Sequence, residues 1–414
     1  TTQAATKKGN RKGEIALAEA EFVDALAWVI GDASDTSSHS LEEQAPERAV
    51  YDTFEYSGTA DRNGRAPLLD RAWKLLLLNQ FHDILPGSSI NWVYKDAARD
   101  YDAIQKICTL AYDDATAALS KTIDTENTED PLLAVNPSAV EYTGVVEAEG
   151  GQPLWIDVPA LGHAVQSKTQ AAQLPDGITP VETRNEADGP VLENEHLLVA
   201  FNSSGHLSRI YDKDNSREVL AEGDCGNVLQ THPDHPITYE AWDVDIYYKD
   251  THSDLDSLES MKIEESGGLR GSVVIERSFG NSRIHQSVQL AAGARRIDFV
   301  TDVDWYERKT FLKTAFPVAI HHDKANFEIQ YGHLERSTHA NTSWDMARFE
   351  VPAHRWADLA EGDYGVALMN DCKYGYDVSG NTLRLSLLRG PEHPDPEADK
   401  GKHTFTYSLY PHAG

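Results

Sequence analysis

The hydrophobic pattern of this 414-residue chain changes its period near residue 120, and this change limits the fold more than any single motif does. Before it, apolar residues recur with helical spacing. Beyond it, short β-rich runs alternate with Gly, Pro, Asn and Asp. The length exceeds that of one ordinary domain. We therefore predict an α+β multidomain protein: a three-helix bundle over 1–118, a small β subdomain or linker over 119–190, and a large antiparallel β-sandwich over 191–414.

Three segments make up the predicted bundle. Apolar residues with the spacing of one helical face predict a first helix over 11–30. Pro67 suits the first turn of a second helix over 68–81, and a third begins near Ser88. The run 73–78 is apolar nearly all round, which predicts that the second helix is buried against several neighbours.

The second half of the chain is predicted to consist of strands with no helix between them. A hairpin is indicated by the runs 197–201 and 207–211 on either side of a turn. Further strands are predicted at 272–275, 297–300, 365–369 and 383–388. The segment 249–269, rich in Asp, Glu, Ser and Gly, is predicted to be a solvated loop.

Charge and cysteine content narrow the functional classes. Lys+Arg 37 against Asp+Glu 67 give a formal charge of -30, which disfavours nucleic acid and anionic membrane surfaces as partners. No apolar run approaches the roughly 20 residues needed to cross a bilayer. Cys108, Cys225 and Cys372 are too far apart to suggest a disulfide framework, so we expect a reducing cytoplasm. The chain lacks an initiator Met, and we expect it to be a fragment.

Two titratable residues, His82 and Asp83, stand between the apolar second helix and a Pro-Gly break. Burying such groups is costly unless they have partners, and a metal ion or a substrate would be suitable partners. Adjacent residues on a helix point about 100° apart, so the two need not share a ligand. The alternative is a buried His bonded to a backbone carbonyl, with Asp83 capping or pairing nearby.

The sequence around this pair, NQFHDILPGSS at 79–89, resembles the hallmark of the α-mannosidases of glycoside hydrolase family 38, in their middle helical domain. Further segments that resemble the same family, in the same order, are 2–11, 207–213, 239–248 and 370–375. The last three are similar to the C-terminal β domain of the cytosolic branch. The resemblance therefore covers essentially the whole chain.

This resemblance implies retaining hydrolysis of terminal α-D-mannosides in a mannose-containing oligosaccharide. It implies that zinc holds two sugar hydroxyls, with His82 as one zinc ligand and Asp83 as a hydrogen-bond acceptor for the bound mannose. In the family the nucleophile and the remaining ligands lie in an N-terminal α/β barrel. We expect no catalytic residue in this fragment, no hydrolysis by it, and weak or no zinc binding. A homo-oligomer is compatible with the sequence.

Weaker candidates for a sugar contact lie in the β region. Trp242 beside Asp243 and Asp245 has the composition of a sugar platform, although alternation of this kind is also typical of a half-buried strand. Within the loop 370–375, the candidates are Asp371, Lys373 and Tyr374. A plain turn is the alternative there. The rival function for the whole chain is a carbohydrate-binding or oligomerisation module without catalysis.

Three other groups of residues can be interpreted either as functional sites or as ordinary structural residues. His321-His322-Asp323 resembles a metal-binding pair, but solvated residues at a strand end are favoured. The run 232–236 carries two histidines, each directly before a proline, and the prolines favour a rigid loop over a metal site. Cys372 lies beside Lys373, yet an inert thiol is favoured over a reactive one.

Overall fold

The computed structural model describes residues 2–30, 41–49, 52–54, 65–148 and 150–414. It separates into two compact units, which we call the helical unit and the β unit. The helical unit comprises Ala5–Thr143 and Ile156–Ala171, and the β unit comprises Thr1–Ala4, Gly144–Trp155 and Ala172–Gly414. The domain limits at 118 and 190 stay a prediction.

The three long helices form one bundle. Within the described residues the helices are α1 (Ala4–Ile30), α2 (Leu41–Gln44), α3 (Arg65–Asn79), α4 (Asn91–Ser120), α5 (Lys168–Ala171), α6 (Ser343–Met346) and a 3-10 helix at Ile246–Asp250. Leu17 of α1, Leu76 of α3 and Ile104 of α4 are fully buried in a common core, which confirms the predicted three-helix bundle. No helix in these ranges is both long enough and apolar enough to cross a membrane.

Burial of α3 is one-sided. Leu75 and Leu76 are buried, whereas Leu77 and Leu78 are 59% and 40% exposed. The helix packs against several neighbours, as predicted, but the expectation that it is not a surface helix is wrong: the run of four leucines extends from the buried face to the exposed one.

The remainder of the described chain is mostly strand. The strands are β1 (Pro131–Asn136), β2 (Tyr142–Glu147), β3 (Pro153–Val158), β4 (Gly162–Ser167), β5 (Val181–Asn185), β6 (Pro190–Glu193), β7 (Leu197–Phe201), β8 (Leu207–Asp212), β9 (Arg217–Glu218), β10 (Val228–Pro233), β11 (Ser253–Asp254), β12 (Ser260–Gly268), β13 (Arg270–Phe279), β14 (Ser282–Ala291), β15 (Ile297–Trp305), β16 (Thr310–Pro317), β17 (Lys324–Ile329), β18 (Gly332–Ser337), β19 (Val351–Pro352), β20 (Trp356–Glu361), β21 (Tyr364–Asn370), β22 (Gly375–Ser379), β23 (Thr382–Arg389) and β24 (Gly401–Ala413).

Most of these strands belong to two large sheets. In the described residues a 14-stranded sheet has the order β18-β17-β20-β21-β24-β15-β14-β13-β12-β5-β6-β7-β8-β9, and a six-stranded sheet has the order β11-β10-β16-β23-β22-β19. Two further pairs are β1-β4 and β2-β3. The central pairings, such as β13 with β14 and β16 with β23, are antiparallel.

The two large sheets pack face to face around one core. The ring of Phe299 on β15 lies 5.5 Å from that of Phe316 on β16 and 4.9 Å from that of Tyr407 on β24, measured between centroids. These rings belong to a single buried cluster that draws residues from both sheets. Packing of this kind confirms the large antiparallel β-sandwich.

The segment 249–269 is not the solvated loop that its composition predicts. Its second half is β12, which pairs with both β13 and β5. Lys262 and Glu264 are exposed while Ile263 packs against the core. The charged residues thus occupy the solvent-facing positions of a strand, where they cost nothing in burial. The amino-acid composition of this segment suggested a loop because composition does not reveal that apolar and charged residues alternate along it.

Candidate functional site

The C-terminal end of α3 is tied to both of its neighbours in the bundle. The side-chain amide nitrogen Nδ2 of Asn79 donates to the backbone oxygen of Leu75 at 2.9 Å and to Oδ2 of Asp100 on α4 at 2.8 Å. The side-chain amide nitrogen Nε2 of Gln80 donates to Oδ1 of Asn10 on α1 at 2.9 Å. The turn that follows therefore begins from a fixed point.

The backbone of Asp83 is held within this turn by three donors. Its carbonyl oxygen accepts from the Ser89 hydroxyl at 2.8 Å, the Tyr94 hydroxyl at 3.1 Å and the Ser88 amide at 3.2 Å. The Tyr94 hydroxyl in turn accepts from the Ser89 amide at 2.7 Å. Three donors on one carbonyl leave the peptide at Asp83 little freedom to rotate.

The far side of the turn is fixed by a buried cation. The ammonium of Lys7, a residue only 7% exposed, donates to the carbonyl oxygens of Leu85 and Pro86, each at 2.9 Å. The next residue, Gly87, has φ of 102°, where an L side chain would be strained. Glycine at this position lets the chain reverse from the turn into α4.

The side chains of His82 and Asp83 point out of this fixed turn. They are 71% and 45% exposed, and Nε2 of His82 lies 3.5 Å from Oδ2 of Asp83. The ring of Phe81 lies 4.2 Å from the imidazole, between centroids. His82 is therefore not the buried histidine of the alternative interpretation. Its imidazole and the neighbouring carboxylate face solvent as a pair.

This geometry is compatible with His82 as one ligand of a metal site. An exposed neutral imidazole is a good zinc ligand, and a zinc site takes three or four protein ligands. Across the described ranges, no group of three or more His, Cys, Asp or Glu side chains is arranged to hold a metal ion. The exposed imidazole of His82 is chemically suited to zinc, and its role as a zinc ligand stays a prediction.

The segment around Trp242 is not a half-buried strand. Its residues form a turn at Trp242 and the 3-10 helix at Ile246–Asp250. The indole of Trp242 is 61% exposed, and Oδ2 of Asp245 accepts from the amide of Ile237 at 3.0 Å. The apolar-polar alternation in this segment does not mark a strand, and none of the described strands pairs with it.

The loop 370–375 joins β21 to β22, and its candidate residues are partly used within the fold. Lys373 is buried, with its ammonium 3.9 Å above the ring of Phe405. Oδ1 of Asp371 accepts from the amide of Thr406 at 3.1 Å. Tyr374 is partly exposed. A sugar contact by these residues stays a prediction.

The histidines at 232 and 322 contact backbone carbonyl groups. His232 lies buried in β10, with Nδ1 3.1 Å from the carbonyl oxygen of Tyr248, and burial lowers its pKa to about 4. It therefore belongs to a strand and not to the rigid loop predicted for 232–236. His322 and Asp323 are exposed, with Nδ1 of His322 2.9 Å from the carbonyl oxygen of Lys324, as expected for solvated residues at a strand end.

The three cysteines are free thiols. Burial raises the pKa of Cys108 to about 12 and also raises the pKa of Cys225. Cys372 is 1% exposed. Because the thiolate is the reactive form and needs access to its target, this burial favours an unreactive Cys372 thiol.

Comparison with known families identifies both halves of the chain. Residues 1–119 match the model described as "Alpha mannosidase middle domain", and residues 192–397 match "Glycosyl hydrolases family 38 C-terminal domain". The chain belongs to glycosyl hydrolase family 38. This confirms the family predicted from the motif at 79–89, and it assigns the turn that carries His82 to the family's middle domain.

Curated relatives and solved structures agree with membership in family 38. The chain is 38% identical to Alpha-mannosidase 2C1 of Homo sapiens, covering 100% of this chain and 38% of that protein. It is 33% identical to Alpha-mannosidase G of Dictyostelium discoideum, covering 100% and 40%. The crystal structure of an alpha-mannosidase from Enterococcus faecalis V583 has the same fold, with a TM-score of 0.76 at 15% identity over 100% of this chain and 55% of that one. The chain thus spans less than half the length of these curated relatives.

Two residues that position the His82 turn were missed from the sequence. Lys7 lies 78 residues from Leu85, and no local pattern connects them. Tyr94 lies on the predicted third helix, and no role was predicted for it from the sequence. The sequence did contain a signal for Tyr94. The first amides of a helix lack partners within it, and a tyrosine one turn into the helix, five residues after Ser89, can reach that end with its hydroxyl.

Proposed function

We propose that the intact protein containing this family 38 chain is a retaining, zinc-dependent α-mannosidase that hydrolyses terminal α-D-mannosides of oligosaccharides in the cytoplasm. The observation that carries this proposal is the pair of solvent-facing side chains at His82 and Asp83 on a turn fixed by hydrogen bonds. The relatives described above are named α-mannosidases, which supports the substrate class. The formal charge of -30 is compatible with a neutral sugar and disfavours nucleic acid.

His82 and Asp83 have separate roles in this proposal. A ring nitrogen of His82 would hold the zinc ion, which when bound polarises sugar hydroxyls as a Lewis acid. Asp83 accepts hydrogen bonds from the mannose, and the Ser88 hydroxyl, 3.2 Å from its Oδ1, orients the carboxylate. Because the turn is held by Tyr94 and Lys7, little conformational entropy remains to be lost when the sugar binds.

The test is the substitution His82→Ala in the intact enzyme. We expect hydrolysis of p-nitrophenyl α-mannoside to fall at least about 100-fold, since a metal ligand is lost and weaker perturbations of zinc sites already cost 10–100-fold. The side chain is exposed, so the free energy of unfolding should change by less than about 0.5 kcal/mol. The matched control is His333→Ala, an exposed histidine of β18, which should retain full activity. Full turnover by His82→Ala, or by the enzyme after chelation of zinc, would contradict the proposal.

The isolated 414-residue chain is expected to be inactive. It supplies one zinc ligand in this proposal, and the nucleophile lies elsewhere in the intact enzyme. Purified chain should therefore release no p-nitrophenol from the mannoside, and calorimetry with zinc should detect weak binding or none. Turnover by the chain would mean that the nucleophile is among its own residues.

A further inference from the structure

The connection between β10 and β11, residues 234–252, carries a concentration of exposed apolar side chains, and we call it the aromatic loop. Its most exposed members are Ile237 at 83%, Tyr239 at 76%, Tyr247 at 67% and Trp242 at 61%. Large apolar side chains gathered on a surface mark interaction sites, whereas single ones are ordinary. Aromatic rings with a polar edge suit ligands that are partly apolar and partly hydrated.

The first half of the aromatic loop is fastened by a buried ion pair. Arg389 of β23 and Asp234 are 2% and 4% exposed, and Nη2 of Arg389 lies 2.9 Å from Oδ1 of Asp234. The same guanidinium donates to the carbonyl oxygen of Asp243, next to Trp242. A buried charge is costly without its partner, so this pair opposes detachment of the loop.

The second half is fastened by Tyr248, which is 4% exposed. Its hydroxyl donates to Oε2 of Glu350 at 2.9 Å and lies 3.2 Å from the ammonium of Lys313, which is fully buried. The carbonyl oxygen of Tyr248 lies 3.1 Å from Nδ1 of His232. The exposed rings between these two anchors therefore sit on a fixed backbone, and binding would not require the loop to be ordered first.

Carboxylates are interleaved with the aromatic rings. Glu240 lies 3.1 Å from the ammonium of Lys309 and accepts from the amide of Glu392 at 2.8 Å, so it is occupied within the fold. Asp243, adjacent to Trp242, is half-buried. An anionic ligand would be repelled by these acids and by the net charge of -30. A purely apolar partner would have no use for carboxylates beside the rings.

We propose that the aromatic loop binds a neutral oligosaccharide. A pyranose ring has an apolar C–H face that stacks on an aromatic ring and an edge of hydroxyls that donate to carboxylates. Trp242 and Tyr239 supply the stacking surfaces, and Asp243 accepts from a hydroxyl. That the sugar is mannose rests on the proposed function. The β unit then contributes glycan contacts that the His82 turn does not supply.

The experiment titrates α-linked mannotriose into the 414-residue chain and into the intact enzyme carrying His82→Ala, in which we expect turnover to be at least about 100-fold slower. Binding is followed by calorimetry and by saturation-transfer NMR. We expect Trp242→Ala to weaken binding about 5- to 10-fold, because one stacking contact contributes about 1–1.5 kcal/mol. The matched control is Trp344→Ala, a 75% exposed tryptophan of α6 in the same unit, which should leave the affinity unchanged.

Three results would overturn the inference: no binding of mannotriose at about 20 mM, well above the millimolar dissociation constant expected of an open site; equal affinity in Trp242→Ala; or an effect of Trp242→Ala only on self-association in sedimentation, which would assign the aromatic loop to a second copy of the chain. The proposed function is tested separately, since hydrolysis that depends on His82 would stand even if Trp242 had no effect on binding.

Discussion

Replacing Tyr94 by Phe tests whether hydrogen bonds to the backbone hold His82 and Asp83 in place. The substitution keeps the ring, which is 8% exposed, and removes only the hydroxyl. That hydroxyl accepts from the Ser89 amide at 2.7 Å and donates to the Asp83 carbonyl oxygen at 3.1 Å. Both bonds are lost without any change in packing.

The expected cost follows from what each partner retains. The Asp83 carbonyl oxygen still accepts from the Ser88 amide and the Ser89 hydroxyl, so its loss is about 1 kcal/mol or less. The Ser89 amide loses the partner described above, and a buried donor left without a partner costs about 1–3 kcal/mol. Ser89 is only partly buried, so water recovers some of this. The local opening free energy should therefore fall by about 2 kcal/mol.

Native-state hydrogen exchange is the appropriate assay, because a chain with two compact units need not unfold in one transition. A fall of about 2 kcal/mol predicts roughly 30-fold faster exchange at the Ser89 amide. In the intact enzyme, kcat/KM for p-nitrophenyl α-mannoside should fall about tenfold, since the turn then samples misaligned positions. The control is Tyr331→Phe, a fully exposed phenol in the β unit, which should leave exchange at Ser89 and activity unchanged.

Exchange at Ser89 that stays within a factor of two of wild type would refute this reasoning, because the hydroxyl would then not be holding the turn. Faster exchange with unchanged kcat/KM would separate the two claims. It would mean that Tyr94 stabilises the turn but that the positions of His82 and Asp83 do not depend on it.

Two further predictions concern the β unit. Arg389→Met leaves Asp234 buried without its cation and should lower the free energy of unfolding by about 3–5 kcal/mol, whereas Arg283→Met, at an exposed pair, should lower it by under about 1 kcal/mol; equal melting temperatures would contradict this. His232 has a folded pKa of about 4 against 6.5 for an exposed group, so unfolding takes up a proton, and stability present above pH 6.5 is lost as the pH falls toward 4. The loss is about 3 kcal/mol, and His232→Gln should show a shallower fall in urea titrations over that window; parallel curves would refute the assignment.

Several features were within reach of the sequence because they depend on residues close together in the chain. The period of apolar residues predicted the three long helices within a few residues at most ends. The α1 helix begins at Ala4 and not at 11, because the polar stretch before 11 has no apolar stripe to reveal it. The motif at 79–89 predicted the family, since its Pro-Gly break and flanking polar residues form one continuous local structure.

Strand predictions failed where pairing with a distant strand decides whether a segment is extended. The segment 260–268 is a strand because β13 and β5 supply hydrogen bonds on both sides, and its charged residues happen to face solvent. The segment 242–247 has the alternation of a strand, but none of the described strands pairs with it, and it forms a turn and the start of a 3-10 helix. Apolar-polar alternation therefore occurs in both a strand and a non-strand segment, since β-pairing is a contact between distant parts of the chain.

The sequence by itself determined the helical bundle and the β-rich second half, and its resemblance to family 38 predicted His82 as a zinc ligand and Asp83 as a sugar contact. Only the tertiary structure decided that this pair faces solvent, because the direction of a turn depends on anchors such as Lys7, which reaches across 78 residues to Leu85. It likewise decided that Trp242 stands exposed on a fastened loop. The buried pair of Arg389 and Asp234 that fastens it joins residues 155 positions apart.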